Sequence, residues 1–102
     1  MSQEIQEELL VDTASFHQKK LTLSAGSQTP KHHHQLTHET YIVIEGTGKI
    51  IVGGKVHDVT PGSFVDIPIH APHQVVNNEL LPLIVISTKN QPQALKDFYL
   101  DS

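Results

Sequence analysis

Short apolar runs broken by turn residues fill most of this chain. Leu21-Thr22-Leu23 is followed by Ala25-Gly26-Ser27, Tyr41-Ile42-Val43-Ile44 ends at Glu45-Gly46-Thr47-Gly48, and Ile50-Ile51-Val52 ends at Gly53-Gly54. A Gly-Gly pair between two such runs marks a two-residue hairpin turn, which needs positive φ at both positions. The run 55–59 then reaches Thr60-Pro61-Gly62, 64–67 precedes Pro68, 74–77 precedes Asn78, and 83–86 is the last run. Strands at this even spacing predict an all-β chain, an antiparallel sandwich or barrel over about 19–89.

The two ends read differently. Residues 1–12 fit either a short helix, with Ser2 as N-cap and Ile5 one turn before Leu9, or an arm leading into a strand. Pro92 suits the first turn of a helix, and Leu95, Phe98 and Tyr99 follow at three- and four-residue spacing. That spacing predicts a short helix over about 92–100, packed on the barrel. The central runs are apolar on both faces. Ile42 and Ile44 alternate with Tyr41 and Val43, and Ile84 and Ile86 alternate with Leu83 and Val85. Half-solvated strands alternate polar with apolar, so a second cover is expected here. A second copy of the chain is the expected cover, making a homodimer through a sheet face or edge. The alternative places these strands centrally, between the two sheets' cores and the terminal helix.

Composition narrows the picture to one domain, 1–102. A chain of 102 residues can bury a single core, kept modest by 37% hydrophobic residues and no Trp. A net charge of -4 argues against a nucleic-acid or anionic-membrane partner. No apolar run approaches the roughly 18 residues of a membrane span, and no basic-then-apolar leader opens the chain. Cysteine is absent, which removes disulfides, thiolate ligands and cysteine nucleophiles. A cytoplasmic location is the expected default.

Candidate chemistry lies in histidine. Six of the eight histidines fall in two clusters, Lys31-His32-His33-His34-Gln35-Leu36-Thr37-His38-Glu39 and His70-Ala71-Pro72-His73. The first run is interior and too short for an affinity tag. Strand alternation puts His32 and His34 on one face and His33 on the other, at the surface or an interface. Gln35 to His38 can turn or bulge and bring Glu39 back beside them, and His73 starts a strand after an Ala-Pro corner. Three neutral imidazoles and one carboxylate suit a divalent transition metal. His38, beside Glu39, reads as a partner to a ligand or an alternative ligand. Tyr41 faces inward by alternation, either toward a substrate or into barrel packing. His17 and His57 read as ordinary exposed histidines.

These positions resemble the two motifs of the cupin superfamily. Gly26, His32, His34, Glu39 and Gly46 match the first motif at every spacing, and Gly62, Pro68, His73 and Asn77 match the second. The resemblance covers about residues 20–88. It implies a small single-domain cupin with a double-stranded β-helix or jelly-roll barrel, and His32, His34, Glu39 and His73 as metal ligands. One position departs from the family: His70 stands where the second motif has Gly. That place calls for an unusual backbone conformation, and the change either weakens a turn or sets an extra imidazole at the mouth of the site.

One divalent ion per subunit is therefore expected, with Mn or Fe favoured and Ni, Co, Cu or Zn compatible with the donors. No Ser-His-Asp arrangement and no second carboxylate pair accompany the site, so catalysis is expected to run through the metal, with Tyr41 or His70 moving protons. The resemblance admits a dioxygenase, isomerase or lyase acting on a small organic acid or sugar-like molecule. The block from His32 to Gly46 looks most like that of cupin sugar-phosphate isomerases. The alternative is a non-catalytic module that binds or senses a small ligand.

Overall fold

A computed structural model describes residues 4–102, which form ten strands in two antiparallel sheets. In chain order these are β1 (Ile5–Asp12), β2 (His17–Leu23), β3 (His32–His33), β4 (Glu39–Glu45), β5 (Gly48–Val52), β6 (Lys55–Val59), β7 (Phe64–Ile67), β8 (His73–Val76), β9 (Leu83–Lys89) and β10 (Tyr99–Leu100). One sheet has the order β1-β2-β9-β4-β7 and the other β10-β3-β8-β5-β6. The runs and turns predict the all-β barrel, and the resemblance its double-stranded β-helix form.

Period-2 alternation builds the core. Leu21 and Leu23 on β2, Tyr41 and Val43 on β4, and Leu83 and Val85 on β9 turn inward from the first sheet. Ile50, Val59 and Val75 meet them from the second. Each such side chain contributes about 1.5–3 kcal/mol by leaving water. The inward rows continue past this apolar layer. Register places Lys19, Ser87 and Tyr41 side by side, and then His17, Lys89 and Glu39. The three central strands of this sheet, β2, β9 and β4, therefore run from core to chemistry along a single face.

Two glycine sites show what the turns demand. Gly53 and Gly54 join β5 to β6 with φ of 56° and 85°, the left-handed pair that this hairpin requires. Gly46 has φ 85°, and a Cβ there would lie 2.2 Å from the Pro82 carbonyl oxygen.

The structure decides between the two N-terminal readings and corrects the C-terminal one. The N-terminal segment is the edge strand β1, paired along β2 with a bulge between Leu9 and Val11; Ser2 lies outside the described residues. The expected helix over 92–100 is absent. A single turn closes with the Leu95 amide on the Pro92 carbonyl, and the chain then extends into β10, paired with β3. A nine-residue helix is marginal in isolation, so tertiary hydrogen bonds decide the outcome. Without that helix, the outer face of the first sheet is open. Ile44 is 52% and Phe64 64% exposed, with Ile42 between them across the β4–β7 and β4–β9 pairs.

Gly46→Ala is expected to destabilise the fold by more than Gly53→Ala. The latter meets only the left-handed penalty of about 1–2 kcal/mol, whereas the former also drives a methyl into backbone. Urea unfolding midpoints of the two variants check this order.

Candidate metal centre

Four buried side chains converge at one end of the barrel: His32 on β3, His34 just after it, Glu39 opening β4 and His73 opening β8. One donor atom from each lies within 4.8 Å of all the others. The ligands come from both sheets, and His32 and His73 are direct register partners. The two clusters are joined by backbone as well, through the His70 amide on the His34 carbonyl at 2.6 Å.

Hydrogen bonding settles which ring nitrogens face the centre. His32 Nδ1 lies 2.8 Å from the Pro30 carbonyl, His34 Nδ1 2.5 Å from the Asp97 carbonyl and His73 Nδ1 3.0 Å from the Ala71 carbonyl. A carbonyl only accepts, so each Nδ1 carries the hydrogen, and each ring in its neutral form turns an Nε2 lone pair inward. His34 Nε2 and His73 Nε2 then stand 3.1 and 3.0 Å from Glu39 Oε1. Acceptors facing an acceptor at that distance require a positive charge among them. Buried His73 Nε2 has no properly aligned hydrogen-bond partner, leaving a lone pair that suits a cation. These residues therefore fit a divalent transition metal ion.

Electrostatics point the same way. Burial pushes the Glu39 carboxyl up, but a positive charge shared with the facing His34 and His73 nitrogens, together with the nearby charge of Lys89, overcomes this and holds it well below the usual carboxylate range. Ser87 Oγ donates to its other oxygen, Oε2. Burial lowers His32 to about 4, so it stays neutral and available as a ligand near pH 7. Burial and then the Glu39 charge raise the Tyr41 phenol well above its ordinary value, which keeps it protonated.

The C-terminal segment braces this centre from outside. Asp97 accepts from the Gln35 and Leu36 amides at 2.9 and 2.8 Å and from Thr37 Oγ1 at 2.8 Å, holding the turn between His34 and Glu39. Burial raises this carboxyl, and those hydrogen bonds outweigh it, to about 2. Phe98 stacks on His32 with ring centroids 4.5 Å apart. These contacts replace the expected helix. Alternation along β9 past Ile86 would have found Ser87 and Lys89; nothing in the local pattern marked Asp97.

The remaining sequence candidates separate clearly. Tyr41 lines a cavity of about 230 Å³ together with His32, Glu39 and Ser87. His38 lies outside it, half-exposed and hydrogen-bonded to Asp66. His70 is exposed and does not line the cavity, and its φ of 71° shows why the family places Gly there. His33 lies at the surface beside Asp101 and Tyr99. His17 is not the exposed histidine expected. It is buried in the inward row of β2, 2.7 Å from the Gln91 carbonyl, because β2 begins two residues earlier than the run predicts. His57 is half-buried on β6.

Residues 20–89 match the family described as Cupin domain. The chain is 29% identical over 85 residues to a mannose-1-phosphate guanylyltransferase of Klebsiella pneumoniae, covering 81% of this chain but only 18% of that enzyme. A Klebsiella pneumoniae structure with a double-stranded beta-helix domain superposes with TM-score 0.85 at 21% identity, covering 97% of this chain and 85% of the other. A sugar phosphate isomerase from the cupin superfamily of Silicibacter pomeroyi superposes with TM-score 0.71 at 22% identity, over 76% of this chain and 51% of that one. At these identities the solved structures speak for the fold. No helix among the described residues is long and apolar enough to cross a membrane.

Between pH 6.5 and about 4 the unfolded chain binds a proton at His32 that the folded chain refuses. Stability therefore rises with pH through that window and is lost as pH falls. Thermal melts of metal-free protein at pH 7 and pH 4 are expected to show this loss, with a smaller difference in His32→Gln.

Proposed function

The chain belongs to the cupin family, and from that premise we propose that it is a small metal-dependent enzyme. Its substrate is a small organic acid or sugar-like molecule, and its reaction is of the dioxygenase, isomerase or lyase kind. The observation that carries this reading is three inward lone pairs and one buried carboxylate, with His32 and Glu39 reachable from an open cavity. A purely structural metal site is closed by its ligands, whereas a catalytic one keeps access for a substrate. His32, His34, Glu39 and His73 would hold a divalent ion, which would supply Lewis-acid polarisation of a substrate oxygen. Mn or Fe suits this mixture of imidazole and carboxylate well.

The chain's own residues do the rest. Tyr41 presents a protonated phenol beside Glu39, positioned to donate a hydrogen bond or proton to bound substrate. Ser87 holds one Glu39 oxygen and leaves the other toward the histidines. Phe98, Leu21 and Ile5 line the cavity with apolar surface and limit water beside the reacting atoms. The partial likeness to a mannose-1-phosphate guanylyltransferase is in keeping with a sugar-like substrate.

A homodimer belongs to the same proposal. Ile42, Ile44 and Phe64, with half-buried Ile84 and Ile86, make a continuous apolar face on β7, β4 and β9 that a second copy would cover. Light scattering is expected to give twice the chain mass at micromolar concentration, and Phe64→Glu to give the monomer.

The catalytic reading has its own test. His34→Ala is expected to remove bound metal and turnover together, while Tyr41→Phe keeps the metal and lowers turnover about 10²-fold or more. Elemental analysis and an oxygen-electrode and sugar-phosphate screen measure both. Metal-loaded protein that binds these molecules without converting them would assign the site to ligand sensing.

A further inference from the structure

The inward row of β9 reads Leu83, Val85, Ser87, Lys89, so Lys89 points into the barrel rather than to solvent. Lys19 does the same on β2, after Leu23 and Leu21. Both line the cavity over His32 and Glu39, and both line a second cavity of about 220 Å³ that His34 and Lys96 also border. Phe98 stands between the two spaces, touching each. Three of the chain's seven lysines thus surround the centre, although the net charge is -4.

Inward-facing lysines are costly unless a negative charge answers them. Lys19 is answered by Glu7 at 3.1 Å. Lys89 has no carboxylate within 4.0 Å among the described residues, although it is half-buried and stands in register with Glu39. Glu7, Glu39 and Asp97 at most offset Lys19, Lys89 and Lys96, so a divalent ion at the centre leaves its own double charge unmatched. The match has to arrive with the ligand.

We infer that Lys89 is a specificity-determining residue that binds an anionic oxygen group, carboxylate or phosphate, of the molecule occupying the cavity, with Lys19 and Lys96 reinforcing the field. This rests on the proposal that the cavity over the four ligands is the substrate site. A cavity of about 230 Å³ admits a compact anion. Its field also draws such anions inward before any contact forms.

The test is calorimetric titration of inorganic phosphate and of malonate into metal-free and Mn²⁺-loaded protein. Tighter binding of one or the other assigns phosphate or carboxylate as the group recognised. Lys89→Met is expected to weaken the tighter anion about tenfold or more. Lys89→Arg should restore most of it, and Lys49→Met, on the exposed β5–β6 surface, should change nothing. Mn²⁺ affinity of Lys89→Met is expected to stay within a few-fold of the parent. Unchanged anion affinity in Lys89→Met, or a loss of Mn²⁺ affinity alone, overturns the inference and reduces Lys89 to a counter-charge for Glu39. A chain that takes up no Mn²⁺ yet binds anion through Lys89 refutes the metal reading and leaves this one standing. Mn²⁺ uptake with no binding of either anion does the reverse.

Discussion

Everything at the open end of this barrel is arranged around one electrostatic conflict. A carboxylate that is 2% exposed faces imidazole nitrogens whose hydrogens are committed elsewhere. Backbone carbonyls at Pro30, Ala71 and Asp97 hold the three rings in the same tautomer, so the conflict cannot be relieved by flipping a ring without orphaning a buried N–H. Only a positive charge in their midst resolves it. The fold tolerates the arrangement because strands from both sheets fix the four donors, and the apolar layer below them supplies the stability.

That layer also explains how function is graded along each strand. In the first sheet the sequence of inward residues runs from Leu21, Val85 and Val43 to Lys19, Ser87 and Tyr41, and then to His17, Lys89 and Glu39. One end is closed by packing, the other by charge. The C-terminal segment then clamps the charged end, with Asp97 on the turn that carries Gln35 and Leu36 and Phe98 over His32.

How much of this was legible follows from the range of the signals. The strands and the Gly53-Gly54 hairpin were readable because period-2 alternation and local turn chemistry determine them; alternation also pairs His32 with His34, and the cupin resemblance completes the four-residue centre with Glu39 and His73. His70 was readable as a strained position, and its positive φ bears that out. The C-terminal segment was not, because Leu95, Phe98 and Tyr99 satisfy helical spacing while Phe98 and Tyr99 stack on His32 and His33, more than sixty residues earlier. Ser87, Lys89 and the inward setting of His17 were hidden for a simpler reason: β9 runs three residues past its apolar run and β2 begins two residues before the expected start at about 19, where polar side chains still face inward.

X-ray absorption spectroscopy of the chain loaded with one equivalent of Zn²⁺ addresses the centre most directly. The geometry predicts three imidazole nitrogens at about 2.0–2.1 Å and one carboxylate oxygen, with the imidazole signal reduced in His73→Ala. A spectrum of oxygen ligands alone, unchanged in that variant, would contradict it.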